Sequence, residues 1–352
     1  MTVVFAGGGT GGHLYPAIAI ADALRSRNAK VAFIGTADRM ESAIVPKAGY
    51  DLHSISSRSL PRSPSLEFFQ TIASNVQGTL QSLRLLATQR PDLVIATGGY
   101  VCFPVALAAR IRRLLRLSAA PVVLLEPNAE PGLTNKLLAP IVDEVWGWST
   151  TGVPIRAALR ALPRREDAIA RLGLDPSLQT LVAMGGSQGA RSINDALIAL
   201  ISHDALPPGW QLLALTGQSE YERVRSALPN ARPYLDDMAD AYAVADLLLT
   251  RAGASTLGEL RALGKPAILV PYPYAAQGHQ AANAAPFAKA GAAVVLTDSE
   301  LQAGGLPKVL AQTAEPARLA SLAGAAARRA GADPLYAILA RIDALLSRKG
   351  ER

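Results

Sequence analysis

The chain has 352 residues, half of them apolar and 18% charged, so it is long enough for about two domains and too apolar to be disordered. A single cysteine, Cys102, excludes an internal disulfide framework and indicates a reducing compartment. The net charge of +7 favours an anionic partner, but an aromatic content of 5% and the lack of a basic reading motif argue against nucleic acid. We see no signal peptide and no apolar run of the ~18 residues that span a membrane, and therefore expect a soluble, cytoplasmic chain.

The N-terminus predicts a strand, a glycine loop and a helix in immediate succession. Residues 2–6 are mostly apolar, five glycines follow within residues 7–12, and a helical pattern begins near Leu14. Such a unit binds anions, because its unpaired N–H groups and the positive end of the helix dipole face the same way. Thr10 and His13 add a hydroxyl and an imidazole, which indicates chemistry as well as binding. The alternative is that His13 only caps the helix.

The same loop also fits a dinucleotide-binding fingerprint. Gly7, Gly9 and Gly12 match G-x-G-x-x-G, and Asp38 after the next strand offers an acid for a ribose. A P-loop is excluded, because His13 stands where the lysine is required. An oxidoreductase that binds NAD(P) therefore remains an alternative on this stretch.

Strand and helix patterns alternate along the whole chain, which predicts α/β domains with parallel sheets. A second strand and glycine loop at 179–191 indicates two doubly wound domains facing across a cleft. The predicted boundaries are 1–155, 156–333 and 334–352, the last being a helix that packs back on the first domain. After the first strand, we expect strands at residues 31–35, 92–97, 121–125, 143–146, 180–184, 211–216, 246–250, 266–271 and 292–296.

Polar side chains follow two of the predicted strands in the first half. Tyr100 comes after Gly98 and Gly99, where doubly wound sheets place ligands, although a simple tight turn fits as well. Glu126 is a plausible general base and Asn128 a partner for sugar hydroxyls, because buried polar groups are costly unless paired or useful. The alternative is that Asn128 caps a helix and Glu126 pairs with an arginine.

Two segments in the second half suit a nucleotide sugar. Glu259 follows a strand by about one helical turn, where a carboxylate accepts two hydrogen bonds from a ribose diol or merely complements the helix dipole. Gln280 and Asn283 share a helical face and suit sugar hydroxyls, unless they form a solvated loop. Four histidines and one cysteine lie at no ligand spacing, and no Asp-x-Asp occurs, so we expect no metal.

These segments form one joint pattern that runs in order through both halves of the chain. It comprises residues 8–13, 97–100, 126–128, 134–136, 185–194, 251–259 and 279–283. The pattern resembles the MurG family, the bacterial peptidoglycan N-acetylglucosaminyltransferases. The resemblance implies a GT-B fold of two Rossmann-like domains and an inverting, metal-independent reaction without a cofactor. In that reaction GlcNAc passes from UDP-GlcNAc to the C4 hydroxyl of MurNAc in lipid I, which gives lipid II.

The resemblance also implies roles for individual residues. The general base is His13 as first choice and Glu126 as second. The glycine loop faces the diphosphate of the acceptor, and the acceptor contacts are Gly9, Thr10, Tyr100 and Asn135. The donor, UDP-GlcNAc, is held by Thr10, Gly11, Gly12, Asn128, Arg156, Ser187, Leu235, Met238, Ala254, Glu259 and Gln280.

The chain departs from the family pattern at two places. Leu125 and Pro127 stand where the family often has His and Gln around the glutamate, so no catalytic histidine is available there. Gln277 and Gly278 replace the usual acidic pair, which puts donor contacts from those positions in doubt. Two further alternatives are a related glycolipid synthase with another donor or acceptor, and a non-catalytic scaffold of the cell-wall machinery.

A lipid acceptor implies a peripheral protein on the cytoplasmic face of the cell membrane, docked on the anionic inner leaflet. Two sets of residues suit this: apolar ones near helical spacing and arginines close by in sequence. The alternative is that the apolar set is ordinary core and the arginines are a solvated face. The apolar set is Leu66, Phe68, Phe69, Ile72, Val76, Leu80, Leu83 and Leu86, and the arginines are Arg110, Arg112, Arg113 and Arg116.

Overall fold

The computed structural model describes residues 1–59, 66–186, 189–228, 230–235, 237–275, 278–331 and 333–350. The chain divides into two compact units. The first comprises residues 1–156 together with 333–352, and the second comprises residues 157–332. Within the described residues, no helix is both long enough and apolar enough to cross a bilayer.

The first unit is built on a parallel sheet of six strands. These are β1 (Thr2–Ala6), β2 (Lys30–Gly35), β3 (Asp51–Ser54), β4 (Leu93–Ala96), β5 (Val122–Glu126) and β6 (Glu144–Gly147). The helices between them are α1 (Gly11–Ser26), α2 (Glu41–Lys47), α3 (Leu66–Gln89), α4 (Cys102–Leu114) and α5 (Leu133–Leu138). The strand order β3-β2-β1-β4-β5-β6 is that of a Rossmann fold, with its switch point between β1 and β4.

The second unit repeats this arrangement. Its strands are β7 (Gln179–Met184), β8 (Trp210–Leu215), β9 (Ala231–Arg232), β10 (Leu247–Thr250), β11 (Ala267–Leu269) and β12 (Ala293–Val295), in the order β12-β11-β10-β7-β8-β9. Its helices are α6 (Arg165–Leu172), α7 (Arg191–Ser202), α8 (Tyr221–Val224), α9 (Met238–Val244), α10 (Ala254–Leu263), α11 (His279–Lys289), α12 (Asp298–Gln302), α13 (Leu306–Ala314) and α14 (Pro316–Arg329). Two Rossmann-like units confirm the predicted fold class.

Alternate side chains of β1, a central strand of the first sheet, pack in two different cores on opposite faces of that sheet. Val3 and Phe5 pack with Leu14 of α1, while Val4 and Ala6 pack on the opposite face, where α4 lies. Because helices cover both faces, the inner strands are apolar at nearly every position. This explains why their sequences predict strands so clearly.

The last helix, α15 (Pro334–Gly350), belongs to the first unit. Its apolar residues recur at helical spacing and join the same core as Val3, Phe5 and Leu14. The buried residues of α15 are Leu335, Ile338, Leu339, Ile342 and Leu345. The chain therefore leaves the first unit after residue 156 and returns to it at residue 333.

Two strands were absent from the expected set. β3 has the sequence Asp-Leu-His-Ser and lies at one edge of the first sheet, and β9 has two residues and lies at one edge of the second. Neither carries the apolar run that marks a buried strand. Both strands pair on one side only, so their sequences carry little evidence of the sheet.

Candidate active site

A buried glutamate, Glu41 of α2, holds the glycine loop after β1. Its Oε2 accepts a hydrogen bond from the backbone N–H of Gly9 at 2.9 Å. Its Oε1 accepts two more from Thr36, from the backbone N–H at 3.0 Å and from the hydroxyl at 2.7 Å. Gly9 was predicted to contact the acceptor substrate. Its N–H group instead donates to Glu41 within the protein. Glu41 was not among the predicted site residues.

His13 lies in the first turn of α1 and is held by the loop after β4. Its Nδ1 lies 2.8 Å from the carbonyl oxygen of Thr97. A carbonyl only accepts, so this contact places the hydrogen of the neutral ring on Nδ1 and leaves Nε2 as the basic nitrogen. A Cβ at Gly98, whose φ is +109°, would lie 2.2 Å from Nδ1. The ring can occupy this place because residue 98 is glycine.

The loops after β1 and β4 pack tightly against each other. A Cβ on Gly7 would lie 2.0 Å from Thr97 Oγ1, and one on Gly99 would lie 2.5 Å from the Gly8 carbonyl oxygen. The Tyr100 ring lies 4.0 Å from where a Cβ of Gly9 would stand. The structure thus brings the predicted residues Gly9, His13 and Tyr100 to one edge of the first sheet. Thr10 is the N-cap of α1 and is exposed, with Gly11 and Gly12 directly after it.

Glu126 ends β5 and is 5% exposed, and four hydrogen bonds converge on its carboxylate. Oε1 accepts from the backbone N–H of Asn128 at 2.8 Å and from its side-chain Nδ2 at 3.0 Å. Oε2 accepts from Asn135 Nδ2 at 2.7 Å and from the backbone N–H of Gly132 at 3.2 Å. The structure therefore joins the three predicted residues Glu126, Asn128 and Asn135 in one cluster, in which Glu126 and Asn135 are buried and Asn128 is half-buried.

This cluster contradicts the alternative in which Asn128 caps a helix and Glu126 pairs with an arginine. The N-cap of α5 is Gly132, and the partners of Glu126 are amides. Leu125, where the family often has His, is fully buried in the core of the first unit. A carboxylate whose two oxygens already accept four hydrogen bonds is poorly placed to take a proton from a substrate.

Arg156, expected at the start of the second domain, lies in the first unit. Its guanidinium stands 5.2 Å from the centre of the Tyr15 ring, within the range of a cation–π contact. The aromatic partner is on α1, two residues after His13. Arg156 is therefore fixed beside the helix that carries the histidine.

A cavity of about 580 Å³ lies within the second unit. It is lined by the glycine loop after β7 (Gly185, Gly186 and Gly189), by residues at the start of α10, and by Arg251 and Gln280. These segments follow the carboxyl ends of β7, β10 and β11, where α/β sheets bind ligands. Ser187, a predicted contact of the donor, lies outside the described residues, as do Gln188 and Gln277.

One wall of this cavity is an ion pair. Arg251 donates from Nη1 to Asp298 Oδ1 at 2.7 Å and from Nη2 to the Ser192 hydroxyl at 2.8 Å. Ser192 in turn donates to the same Asp298 oxygen at 2.8 Å. Burial opposes ionisation of Asp298, but the hydrogen bonds from Ser192 and Arg251 outweigh it and hold the pKa of this carboxyl below its usual range.

Glu259 and Gln280 are both set by hydrogen bonds. The Tyr242 hydroxyl donates to Glu259 Oε2 at 2.5 Å, and Glu259 is 6% exposed. No acidic residue occupies the first turn of α10, which contradicts the helix-dipole interpretation of Glu259. Gln280 Oε1 accepts from the N–H groups of Ala252 at 3.1 Å and Tyr272 at 2.8 Å. Its amide orientation is thus fixed, with Oε1 as the acceptor of both bonds and Nε2 as the donor group of the amide.

Three further predicted donor residues of the second unit, Ala254, Met238 and Leu235, are not among the described residues that line the cavity. Ala254 is the first residue of α10, and its N–H belongs to the unpaired start of that helix. Met238 begins α9 and is half-buried, as is Leu235 before it. Across the described ranges, no group of three or more His, Cys, Asp or Glu side chains is arranged to hold a metal ion.

Two Rossmann-like units, one with a histidine directly after its glycine loop and one with a cavity at its switch point, are the architecture of a GT-B glycosyltransferase. The chain belongs to glycosyltransferase family 28: residues 3–146 match the model of its N-terminal domain and residues 180–333 that of its C-terminal domain. This membership overturns the oxidoreductase alternative. Asp38, its proposed ribose ligand, has a side chain that is 75% exposed beside Arg39.

Curated relatives cover nearly the whole chain. One from Halothermothrix orenii is 40% identical over 338 residues, which is 88% of this chain and 89% of the relative. One from Frankia casuarinae is 38% identical over 375 aligned positions, covering 100% and 98%. Both are named UDP-N-acetylglucosamine–N-acetylmuramyl-(pentapeptide) pyrophosphoryl-undecaprenol N-acetylglucosamine transferase. This relationship confirms the predicted resemblance and identifies the chain as an enzyme.

Two solved structures are similar to this chain over nearly its whole length. The crystal structure of Acinetobacter baumannii MurG has a TM-score of 0.77 at 26% identity and covers 97% of this chain and 99% of its own. The calicheamicin glycosyltransferase CalG4 has a TM-score of 0.66 at 16% identity, covering 99% and 98%, and shares the fold alone.

Proposed function

We propose that this protein transfers GlcNAc from UDP-GlcNAc to the C4 hydroxyl of MurNAc in lipid I, giving lipid II, by an inverting and metal-independent reaction. The observation that carries the proposal is the set of relatives named for this transfer that match the chain over 88–100% of its length. The placement of Gly9, His13 and Tyr100 at one edge of the first sheet, and of Gln280 at the cavity of the second unit, supports it.

The proposal assigns the general base to His13. The contact between Nδ1 and the Thr97 carbonyl leaves Nε2 to accept the proton of the acceptor hydroxyl, and the backbone carbonyl then stabilises the protonated ring. Glu126, the other candidate, has both oxygens engaged by Asn128, Gly132 and Asn135. Tyr100 and Asn135 would contact the acceptor from the same edge.

The donor is assigned to the cavity of the second unit. Glu259 would accept hydrogen bonds from the ribose diol, Gln280 would donate to GlcNAc, and the N–H of Ala254 would meet the diphosphate. Leu235 and Met238 would contact the uracil. Roles for Ser187, Arg156, Asn128 and the loop residues Thr10, Gly11 and Gly12 rest on the resemblance.

The transfer is written as a single displacement. The acceptor oxygen forms a bond to C1 of GlcNAc on the face opposite the diphosphate, the bond from C1 to the β-phosphate oxygen breaks, and configuration at C1 inverts. The hydroxyl proton passes to Nε2 of His13, and the electron pair of the broken bond leaves with UDP. Backbone N–H groups and arginine side chains can meet the charge on UDP, so the scheme includes no metal ion.

The test is UDP release from UDP-GlcNAc with EDTA, with and without a soluble lipid I analogue. We expect release that depends on the analogue, that the chelator leaves unchanged, and that His13→Ala reduces at least ~100-fold while UDP binding persists. NMR of the product should show the inverted anomeric configuration. A fully active His13→Ala enzyme would refute the assignment of the base, and binding of UDP-GlcNAc without any transfer would point to another acceptor.

We further propose that the first unit docks on the anionic inner leaflet at the cytoplasmic face of the membrane. On α3 the apolar residues Phe69, Ile72, Val76 and Leu80 are 42–68% exposed, whereas the polar Thr71, Thr79 and Ser82 are buried. At the end of α4, Leu114, Leu115 and Leu117 are 61–70% exposed. Leu86 is core, and the side chain of Leu66 lies outside the described residues. An exposed stripe of this kind marks an interaction surface.

Arginines near this surface supply a modest attraction. Arg113 pairs with Asp143, so its charge is compensated within the protein. Arg110, Arg112 and Arg116 remain, and at roughly 1 kcal/mol each they contribute about 3 kcal/mol at an anionic surface. Insertion of the apolar stripe is then required for stable docking.

Flotation with vesicles separates the two contributions. We expect binding to vesicles that contain phosphatidylglycerol, weakened by salt, and lost in a Phe69→Ser/Val76→Ser variant that still unfolds cooperatively. The matched control is Tyr336→Ser, which removes an aromatic side chain that is 71% exposed on α15. Equal binding of the stripe variant and the control would exclude α3 as the docking element.

A further inference from the structure

Glu41 is 1% exposed, and its carboxylate accepts hydrogen bonds from three donors: the Gly9 N–H, the Thr36 N–H and the Thr36 hydroxyl. In the part of the chain that the structure describes, Glu41 forms no ion pair with Lys, Arg or His. Burying a carboxylate is costly, and here these three hydrogen bonds and the positive end of α2, which begins at Glu41, compensate part of the cost. Because an apolar side chain would avoid this cost, the buried carboxylate calls for an explanation other than stability.

Two glycines make room for the Glu41 side chain. A Cβ on Gly8 would lie 2.3 Å from Glu41 Oε1, and a Cβ on Gly35 would lie 2.7 Å from Glu41 Cγ. Gly8 belongs to the loop after β1, and Gly35 ends β2. The ends of two neighbouring strands therefore form a slot that the side chain of Glu41 fills from α2.

We propose that Glu41 is a positioning residue for the transfer, which fixes the glycine loop so that α1 presents His13 to the reaction. The inference rests on the proposed function. Gly9 has a φ of +84°, and the chain enters α1 two residues later, so the direction of this peptide sets the start of the helix. The hydrogen bond from Gly9 N–H to Glu41 holds that peptide in place.

The position of His13 depends on this loop from two sides. Its ring contacts Thr97 and Gly98, and the segment 97–99 packs against Gly7 and Gly8 with no space for a Cβ. Any shift of the loop at Gly8 and Gly9 therefore moves the histidine and its support together. A displacement of about 1 Å at a reacting group lowers the rate by about 100-fold.

A carboxylate is required because all three partners donate. In Glu41→Gln, the amide NH₂ must face either Gly9 N–H or Thr36 N–H, and two donors then oppose each other. The Thr36 hydroxyl can rotate to accept from the amide, but the backbone N–H groups cannot adapt. Glu41→Gln thus keeps the volume of the side chain and alters only the hydrogen bonds.

The test compares Glu41→Gln with Thr36→Val and Asp38→Asn. Thr36→Val removes a hydrogen bond from the same cluster but leaves the bond between Gly9 and Glu41, and Asp38 is an exposed acid three residues before Glu41. Rates are measured with a lipid I analogue and normalised to the number of UDP-binding sites. We expect kcat of Glu41→Gln to fall about 10- to 100-fold, with the Kd for UDP-GlcNAc within about threefold of wild type. The two comparison variants should keep kcat within about threefold.

A purely structural role predicts another pattern. In that case the loss of kcat in Glu41→Gln and Thr36→Val follows their loss of thermal stability, or Glu41→Gln equals wild type, and either result overturns the proposal. If the wild type transfers no sugar to the analogue, the proposed function fails, but the positioning role is still tested by NMR. The four histidines are labelled with ¹⁵N, and the ring signals of His13 must shift in Glu41→Gln and not in Asp38→Asn. Unshifted signals overturn the proposal.

Discussion

At the scale of single residues, Glu126 offers a direct test of which group takes the proton. Its carboxylate accepts four hydrogen bonds, so we infer that Glu126 supports the transfer by holding the side chains of Asn128 and Asn135 in place. We predict that Glu126→Gln lowers kcat/KM for the acceptor about 10- to 100-fold, because a donor is placed against donors. Because the proposal assigns the base to His13, the acidic limb of the pH–rate profile should stay in this variant. Glu130→Gln, an exposed substitution in the same loop, is the control, and loss of the acidic limb in Glu126→Gln would make Glu126 the base.

Glu259 is the residue on which donor affinity should depend most. Its carboxylate is buried beside the Tyr242 hydroxyl, and a ribose diol would add two further hydrogen bonds. We predict that Glu259→Ala weakens UDP-GlcNAc binding about 10- to 100-fold in titration calorimetry without unfolding the protein. Tyr242→Phe, which removes only the supporting hydroxyl, should have a smaller effect. Unchanged affinity in Glu259→Ala would remove this residue from the donor site.

Gly98 tests the placement of the imidazole. An alanine here combines an unfavourable φ of +109° with a methyl group 2.2 Å from His13 Nδ1. We predict that Gly98→Ala lowers kcat more than ~100-fold while the affinity for UDP-GlcNAc is preserved, because the cavity proposed for the donor lies in the other unit. Gly324→Ala in α14 is the matched substitution, with its Cβ in ordinary contact, 3.4 Å from Arg328 Nη1, and should be active. Retention of activity in Gly98→Ala would mean that the ring is held elsewhere.

At the scale of elements, α15 belongs to the first unit, because its apolar residues pack in the same core as β1 and α1. Ile342 is fully buried in its core, and an Ile→Ala truncation in such a site costs about 2–5 kcal/mol. We predict this loss in the free energy of unfolding of Ile342→Ala in urea titrations, with little change for Tyr336→Ala on the exposed side. Equal stability of the two variants would show that α15 is dispensable for the first core.

Elements with continuous apolar sequence could be predicted, because burial on both faces leaves a clear pattern. β4 and β5 are examples, since every residue from Leu93 to Ala96 and from Val122 to Leu125 is apolar and buried. β3 and β9 could not, since they are short edge strands and are defined by pairing with a neighbour. An apolar sequence pattern indicates which residues are buried, but it does not indicate which strands form backbone hydrogen bonds with each other.

The candidate site shows the same division. His13 and Glu259 could be found because each lies in a local motif of strand end, glycine and helix start. Glu41 could not, because its partner Gly9 is 32 residues away and nothing nearby marks the acid as buried. The hydrogen bonds of Glu126 were also not predicted, because one of them comes from Asn135, nine residues further along the chain. Contacts of this kind follow from the tertiary fold.

At the scale of the whole molecule, stability should fall at both ends of the pH range. Burial opposes ionisation of Asp298, but hydrogen bonds donated by Ser192 and Arg251 outweigh it and lower the pKa of this carboxyl from 3.8. Its contribution to stability is therefore present at neutral pH and is lost as acid protonates the folded state. On the alkaline side, burial raises the pKa of the Cys102 thiol from 9.0 to about 12, although hydrogen bonds from backbone groups oppose this. The fold therefore favours the neutral thiol, and this contribution is present below pH 9 and is lost as the pH rises towards 12.

The alkaline loss can be assigned by replacing the thiol, since other groups titrate in the same range. Burial and a hydrogen bond to Asp22 raise the pKa of Tyr50, so its contribution to stability also falls with rising pH. Burial lowers the pKa of Lys265, so the contribution of this residue rises with pH. We predict that, from pH 9 to 12, the free energy of unfolding of wild type falls by about 1 kcal/mol per pH unit more than that of Cys102→Ala. Urea titrations at each pH measure both slopes. The small cavity left by alanine lowers stability at every pH and does not affect the slope, so parallel curves would show that Cys102 does not carry the alkaline transition.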